Sequence, residues 1–421
     1  MRYSDKRAIG SPEVQALYEE ALGACAQGFV KLKAWYDDAS LPLLRLPEAR
    51  DDLAAVADFA AHVAATFDDF IVLGTGGSNL GAKALFALNH QGLHQAARGI
   101  RCHFFDNVDP VPFKALMTRL TPARSFVFVV SKSGTTAETL SQMVLLLEWL
   151  QSANCDLAAH VAVLTEPKPS PLTTLAERFG LRAFAHDPLV GGRFSVLSTV
   201  GLLPALVAGI DGGQVRAGAW SILEPVLRGV APGEVMAARG AALAVAQAAV
   251  GRRQTVLLPY ADQLADFGLW YRQLWAESIG KDGLGTTPIR AMGTVDQHSQ
   301  FQLYFDGPPD KLFTFIEVAQ QGGLPALRAD LLKGELAYLR GRSLGDLLVA
   351  ECRASADTLA AKGHPVRVIE IDQVSAFTLG QLIMHFMLET ILAAQLWGVD
   401  AFDQPAVEAI KVRTRAVLGQ V

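Results

Sequence analysis

Residues 70–81 read FIVLGTGGSNLG, an apolar run that passes directly into a glycine-rich loop. The run at 70–73 is continuously apolar, as a strand buried on both faces of a parallel sheet must be. Glycines allow a tight turn and let backbone N–H groups approach an anion at the start of a following helix. A dinucleotide fingerprint would need glycine at Asn79, and a Walker A loop would need lysine directly after Gly81. The stretch therefore predicts a strand–loop–helix unit whose loop fits neither nucleotide motif.

A second strand candidate, residues 126–130, leads into a loop rich in hydroxyl groups, SKSGTT at 131–136. Ligands of open parallel sheets bind beyond the carboxyl ends of the strands, where such loops gather. Hydroxyl and backbone donors at a helix N-terminus can hold a phosphate without a metal. One of the hydroxyls is expected to cap the helix, but the loop as a whole favours a phosphate site.

Short β-branched and aromatic runs alternate with Ala/Leu-rich helical segments along the whole chain. This alternation, in a chain too long for one core, predicts an α/β fold with two doubly wound parallel-sheet domains, flanking helices and a helical tail. Strands are predicted at 70–73, 102–105, 126–130, 161–164, 255–258, 312–318 and 366–371. The predicted divisions are an N-terminal segment with the first domain (1–192), a helical connection (193–250), a second domain (251–374) and the tail (375–421). In the tail, a long buried helix should begin at Ser375 and end at Gly398.

The composition excludes several classes of protein. Of the 421 residues 51% are hydrophobic and 19% charged, and the net charge is −5. These values argue against disorder and against a nucleic-acid partner. Four cysteines without a CxxC pair or metal-ligand spacing predict free thiols in a reducing compartment. The apolar stretches at 196–210 and 382–399 are interpreted as buried helices, so we expect a cytoplasmic protein without a membrane span.

Four further motifs follow in order: GGRFS at 191–195, QLWAESIGK at 273–281, GTVDQHSQ at 293–300 and FDQPAVEAIK at 402–411. The two loops alone are similar to the sugar-isomerase (SIS) domain that binds phosphosugars. With the four motifs, the chain resembles the glucose-6-phosphate isomerase family from about residue 70 to 415. The resemblance implies two SIS-type domains and the reversible interconversion of glucose 6-phosphate and fructose 6-phosphate, a step of glycolysis and gluconeogenesis.

The resemblance assigns catalytic roles to four residues. Glu277 falls on the base that moves the proton between C1 and C2 through a cis-enediolate, which requires a carboxylate within reach of both carbons. His298 and Lys411 fall on the ring-opening positions, and Arg193 on the arginine that stabilises the enediolate. Without the resemblance, each residue is interpreted more simply, as a surface glutamate, a structural histidine, a basic helix face and a buried salt-bridging arginine.

The resemblance also implies a substrate-binding set and a partner. The set comprises Gly77, Ser78, Ser131, Lys132, Ser133, Thr135, Thr136, Gln273 and Gln404. Gln273 lies four residues before Glu277, on the same helical face. No metal and no cofactor are implied. Family members are homodimers in which the histidine reaches the neighbouring active site, so His298 is expected to act across the interface and isolated monomers to be inactive.

Three positions depart from the family pattern. Thr75 stands where members often carry isoleucine, and Ala406 and Ile410 stand where many carry glycine. The last two bear on where Lys411 lies and on efficiency, more than on reaction class. Two alternatives stay open: an isomerase that also acts on mannose 6-phosphate, and a non-catalytic phosphosugar-binding regulator. Residues 1–69 contain no basic recognition segment, which disfavours the regulator.

Overall fold

The computed structural model describes residues 1–90, 99–319 and 323–419, and its framework is a pair of five-stranded sheets. The strands are β1 (Arg2–Ser4), β2 (Asp69–Leu73), β3 (Arg101–Phe105), β4 (Ser125–Val130), β5 (Val161–Thr165), β6 (Arg182–Ala185), β7 (Gln254–Pro259), β8 (Thr287–Arg290), β9 (Lys311–Val318) and β10 (Val366–Ile371).

Helices cover both sheets and connect them. The α-helices are α1 (Pro12–Asp37), α2 (Asp51–Thr66), α3 (Leu80–His90), α4 (Pro110–Arg119), α5 (Ala137–Ser152), α6 (Leu157–His160), α7 (Pro171–Phe179), α8 (Thr199–Val207), α9 (Gly212–Leu227), α10 (Met236–Ala249), α11 (Ala265–Ile279), α12 (Val295–Ser299), α13 (Phe301–Asp306), α14 (Leu344–Ala361), α15 (Ala376–Trp397) and α16 (Glu408–Leu418). Short 3-10 helices at Gly76–Ser78 and Gly192–Leu197 flank the site described below.

The first sheet has the strand order β3-β2-β4-β5-β6, and its strands are all parallel. Every residue of β2, β4 and β5 is buried, which explains their unbroken apolar runs. The four strands predicted in this half are confirmed within one residue at each end. The prediction missed β6, an edge strand with mostly exposed side chains.

The second sheet has the order β1-β10-β9-β7-β8, parallel throughout except for β1. The three strands predicted here are confirmed, whereas β1 and β8 were missed. Strand β1 pairs antiparallel with β10, so that Tyr3 lies opposite Ile369. Residues 2–4 thus join the sheet of the predicted second domain, and the boundaries near 192, 250 and 374 stay predictions.

Helix α15 is the central helix of the core. It begins at a capping box formed by Ser375 and Thr378 and ends at Gly398, which is left-handed with φ 73°. The predicted long helix is therefore confirmed. It is long and apolar enough to cross a membrane, but 78% of its most apolar window is buried inside the fold. Helix α15 is accordingly a core helix, packed against α9, α10 and α11.

The segment at 193–250 is helical, as predicted, but the helix expected at 196–210 is shorter. It is α8, and the 3-10 helix Gly192–Leu197 precedes it. Helix α3, which follows β2, packs against α11, which follows β7. The two sheets therefore meet through these helices, next to the 3-10 helix that carries Arg193.

Candidate active site

Arg193 is the centre of the candidate site, and only 2% of its surface is exposed. A guanidinium has five N–H groups, and each of them has an acceptor here. The acceptors are Ser278 Oγ for Nε at 2.8 Å, Gln404 Oε1 and Glu277 Oε2 for Nη1 at 2.7 and 3.3 Å, and the carbonyl oxygens of Ala401 and Asp403 for Nη2 at 2.6 and 3.0 Å. Burial lowers the pKa of Arg193, and the Glu277 carboxylate opposes that effect. The guanidinium is thus fixed in one orientation.

Glu277 and Gln273 lie one turn apart near the C-terminal end of α11. Gln273 Nε2 donates to Glu277 Oε1 at 3.0 Å, so each carboxylate oxygen of Glu277 accepts one hydrogen bond. The Glu277 side chain is 34% exposed, which leaves it accessible from solvent. Within the described part of the chain, Gln273 Oε1 is buried and lacks a hydrogen-bond partner. The structure therefore brings Glu277, Gln273, Gln404 and Arg193 together.

The glycine-rich loop after β2 packs directly against this cluster. A Cβ on Gly77 would lie 2.2 Å from the carbonyl carbon of Gly192 and 2.4 Å from the backbone nitrogen of Arg193. Gly76 has φ +57°, and a Cβ there would lie 2.8 Å from Gln273 Nε2. Only glycine fits so close a backbone approach. The loop consequently places half-buried Ser78 beside the segments that hold Arg193 and Gln273.

The hydroxyls of the SKSGTT loop pair with one another. Ser131 Oγ lies 2.9 Å from Thr136 Oγ1, and Ser133 Oγ lies 2.9 Å from Thr135 Oγ1. The expectation that a hydroxyl caps the following helix was wrong for the N-cap residue of α5. That residue is Thr136, and in the described structure its side chain makes no capping bond. The first N–H groups of α5 thus do not donate to this hydroxyl.

Lys132 differs from its neighbours because its ammonium is already engaged. Its Nζ donates to the carbonyl oxygens of Pro188 and Val190 at 2.8 and 3.1 Å and lies 3.8 Å from the Glu166 carboxylate. Burial lowers the pKa of Lys132. The side chain therefore ties the hydroxyl loop to the segment that leads into Arg193.

The two predicted ring-opening residues lie on exposed helices. His298 is exposed on α12, and Lys411 is exposed on α16, where residues 409–418 are all exposed. Neither is among the hydrogen-bond partners that the described chain gives to Arg193 or Glu277. The structure thus assembles four of the predicted side chains around one point and leaves His298 and Lys411 at the surface.

Sequence reasoning missed several groups that organise the cluster. Ser278 binds Arg193 Nε, and the carbonyl oxygens of Ala401 and Asp403 bind Nη2. Lys281 joins the end of α11 to the same loop through the Asp403 carboxylate. Ser278 and Lys281 stand in the same motif as Glu277, which was the one signal that could have found them.

Two largely parallel sheets covered by helices, a hydroxyl-rich loop at the end of one strand and a carboxylate bound by a buried arginine fit the class of sugar-phosphate isomerases. The family model for phosphoglucose isomerase matches residues 52–421. A glucose-6-phosphate isomerase from Rubrobacter xylanophilus is 41% identical over 90% of this chain and 89% of its own. A glucose-6-phosphate isomerase from Thermus thermophilus is 38% identical over 99% of both chains. The chain belongs to the phosphoglucose isomerase family, as its motifs predicted.

Solved structures agree with the fold. A hypothetical protein from a second strain of Thermus thermophilus superposes with a TM-score of 0.88 at 35% identity, covering 99% of both chains. A glucose-6-phosphate isomerase from Chlamydia trachomatis superposes with a TM-score of 0.81 over 99% of this chain and 88% of its own, at 24% identity. The predicted α/β fold with two SIS-type sheets is confirmed.

Proposed function

We propose that this chain interconverts glucose 6-phosphate and fructose 6-phosphate, with Glu277 as the base that moves the proton. The reaction rests on membership of the phosphoglucose isomerase family and on relatives named for it. The observation that supports these residues is the convergence of Glu277, Gln273 and Gln404 on the buried guanidinium of Arg193.

The hydrogen bonds suit Glu277 to proton transfer. Each of its oxygens accepts one bond and keeps a lone pair for a substrate C–H, while the helix fixes the side chain. As base, Glu277 takes the proton from C2 of the open-chain aldose and returns it to C1, while the proton of the C2 hydroxyl passes to the C1 oxygen, so that C1 carries a hydroxyl and C2 the carbonyl. Gln273 Oε1, buried and unpartnered in the described residues, would accept a bond from a sugar hydroxyl.

Arg193 would stabilise the negative charge of the enediolate through Nη1. Its Nε and Nη2 are held by Ser278 and by backbone carbonyls, whereas Nη1 faces the side chains of Glu277 and Gln404. The Gln404 side chain, which lies on a loop, can turn toward a substrate, and Nη1 then donates to the developing oxyanion. Because the guanidinium is already oriented, little reorganisation is needed at the moment of reaction.

The phosphate would bind at the hydroxyl loop. Ser131, Ser133, Thr135 and Thr136 can exchange their mutual hydrogen bonds for bonds to phosphate oxygens, assisted by the N-terminus of α5. Ser78 and the backbone of Gly77 would contribute from the glycine-rich loop, which packs against the segment that carries Arg193. Lys132 would contribute its backbone N–H, since its Nζ is engaged elsewhere.

The decisive assay supplies fructose 6-phosphate with EDTA present and follows glucose 6-phosphate through a coupled dehydrogenase. Glu277→Gln should lower kcat by about 10²–10⁴-fold, as removal of a general base does. Glu224→Gln, on an exposed helical pair with Arg228, is the matched control and should be unchanged. Wild-type protein that binds the sugar phosphate without turnover would favour the regulator, and mannose 6-phosphate in the same assay tests the other alternative.

We further propose that the protein is a homodimer in which His298 reaches the active site of the neighbouring subunit and, together with Lys411, opens the sugar ring there. Both residues are exposed in the single chain. Helix α16 also presents exposed Ile410, Val417 and Leu418, an apolar face that a second copy would cover.

Subunit mixing tests this arrangement. His298→Ala and Glu277→Gln homodimers should both be nearly inactive, because each lacks one member of every site. After unfolding and refolding of an equal mixture, about a quarter of wild-type activity should return, since half of the dimers are hybrids with one intact site. A mixture that stays inactive while hybrids form would place His298 in its own subunit's site.

A cytoplasmic location is the last part of this proposal. Cys25, Cys102, Cys155 and Cys352 are all free thiols, as is typical of proteins kept in a reducing compartment. Burial raises the pKa of Cys25 and Cys102 to about 12, so these thiols stay protonated and unreactive.

A further inference from the structure

Lys281 joins the end of the helix that carries Glu277 to the loop at residues 400–404. Its ammonium has three N–H groups and three acceptors: the Ser278 carbonyl oxygen at 3.2 Å, the Asp400 carbonyl oxygen, and the Asp403 carboxylate at 2.6 Å. Only 13% of the Lys281 side chain is exposed. The Asp403 side chain is 54% exposed, so water reaches the carboxylate end of the salt bridge, and the two carbonyl oxygens also hold the ammonium in place.

The same loop holds the guanidinium of Arg193. The carbonyl oxygens of Ala401 and Asp403 accept from Nη2, and the Gln404 side chain accepts from Nη1. The ring of Phe402 packs on that of Phe194, next to Arg193, with centroids 5.4 Å apart. The position of this loop therefore decides where three of the five acceptors of Arg193 lie.

These contacts form a closed ring of hydrogen bonds. The ring runs from Ser278 to Arg193, from Arg193 to the 400–404 loop, from the loop to Lys281, and from Lys281 back to Ser278. Lys281 is the member that joins the loop directly to α11, and its three acceptors belong to other residues than Arg193 and Glu277. We propose that Lys281 is a positioning residue, which holds the loop so that Arg193 and Glu277 keep their relative geometry during the reaction. This inference rests on the proposed function.

The expected effect of removing Lys281 is on turnover more than on binding. Without its ammonium the loop can shift, and a shift of about 1 Å at a reacting group can cost about 100-fold in rate. The hydroxyl loop that would bind phosphate is tied elsewhere, through Lys132 to the carbonyl oxygens of residues 188 and 190. Lys281→Met should accordingly lower kcat about 10- to 100-fold and change KM less than about threefold.

The test compares Lys281→Met with Lys281→Arg and with Lys362→Met. Lys281→Arg keeps a charged donor, so the decrease in log kcat should be smaller than in Lys281→Met by at least about a third. Lys362 pairs with Asp306 at 2.9 Å on the surface, and its variant should behave as wild type. Asp403→Asn in the Lys281→Met background should lower kcat little further, because both substitutions break the same contact between Lys281 and Asp403.

A second readout does not depend on activity. Hydrogen exchange of the backbone amides at 400–404 should accelerate at least about tenfold in Lys281→Met and stay unchanged in Lys362→Met. Two results would exclude the positioning role while the proposed function stands, provided that wild type turns over. In the first, Lys281→Met keeps the wild-type kcat; in the second, its kcat falls and its KM rises by the same factor. If wild type lacks turnover, the proposed function fails, and unchanged exchange at 400–404 would also exclude the anchoring of the loop.

Discussion

Four strands follow the same order in the two sheets, which differ in the fifth, yet the sheets supply different parts of the candidate site. The first sheet is β3-β2-β4-β5-β6, and the second, taken from its other end, is β8-β7-β9-β10-β1. In the first, the strands β2 and β4 lead at once into the glycine loop and the hydroxyl loop. In the second, β7 leads through a short turn into α11, whose far end carries Gln273 and Glu277.

On this comparison the first sheet would bind the substrate's phosphate, and the second would supply the groups that transfer the proton. Loops at strand ends present backbone N–H groups and hydroxyls, which suit an anion that must be held throughout the reaction. A packed helix end presents side chains in fixed rotamers, which suit proton transfer between defined atoms. Variants in the first half should therefore change KM, and variants in the second half should change kcat.

The largest expected effect concerns the stability of the second half. Arg367 on β10 and Glu389 on α15 are fully buried and form two hydrogen bonds, at 2.9 and 2.7 Å. Glu389→Gln leaves a buried guanidinium without its counter-charge and should cost about 3–5 kcal/mol in the free energy of unfolding. Asp69→Asn in the first sheet should cost less, because its partner Arg101 is 57% exposed and can reach water. Urea unfolding of both variants measures the difference.

The pair of Arg367 and Glu389 also makes the stability of the fold depend on pH in the acid range. Burial acts to raise the pKa of Glu389, but Arg367 and His385 outweigh it and the pKa lies below its ordinary value. A depressed folded-state pKa stabilises the fold above the unfolded value, about 4.3, and that stabilisation disappears as pH falls through the folded pKa. Below about pH 4 the stability difference between wild type and Glu389→Gln should therefore shrink. A difference that stays constant from about pH 7 to about pH 3 would contradict this assignment.

The next effect is on turnover. Arg193→Lys keeps the charge but loses the planar fork that five acceptors fix. We expect kcat for fructose 6-phosphate to fall about 10²–10³-fold with KM nearly unchanged. Steady-state kinetics on the folded variant provide the measurement; a rise in KM that accounts for the whole loss would move Arg193 into the binding half.

A smaller effect, on KM rather than on kcat, is expected in the hydroxyl loop. Thr136→Val removes one hydroxyl that would donate to phosphate and should raise KM about tenfold while kcat is retained. Inorganic phosphate as a competitive inhibitor should weaken in parallel. Thr118→Val is the control, because that hydroxyl bonds only to carbonyl oxygens of its own helix in the described structure. If kcat fell with KM unchanged, the assignment of binding to the first sheet and of turnover to the second would be wrong.

The smallest effect should fall on the link between the halves. Lys132 ties the hydroxyl loop to the carbonyl oxygens of Pro188 and Val190, just before Arg193. Lys132→Met should change kcat and KM together, each by about twofold, so that kcat/KM falls about fivefold, the equivalent of one ordinary hydrogen bond. If KM alone rose, by about 100-fold or more, Nζ would instead bind the phosphate directly, as a charged donor does.

Sequence patterns predicted the interior of the fold better than its edges. Buried strands such as β4 have unbroken apolar runs, whereas β1, β6 and β8 are short edge strands whose exposed positions carry no such run. The tail helix was predicted because Ser375 and Gly398 are strong end signals.

The groups of the candidate site also differ in how well the sequence predicted them. Glycines, hydroxyls and the four-residue spacing of Gln273 and Glu277 are visible in the sequence. The acceptors of Arg193 Nη2 are not, because every residue has a carbonyl oxygen and only the folded loop selects those of Ala401 and Asp403. The proposed placement of His298 and Lys411 depends on a second copy, which one sequence does not specify.

The antiparallel pairing of β1 has a consequence for how the protein is made. Residues 2–4 leave the ribosome long before residues 368–370, with which they pair. At about 5–20 residues per second, the first strand waits on the order of tens of seconds for its neighbour. During that interval the nascent chain can complete the first sheet, whose strands are all translated by residue 185, while the second sheet still lacks an edge.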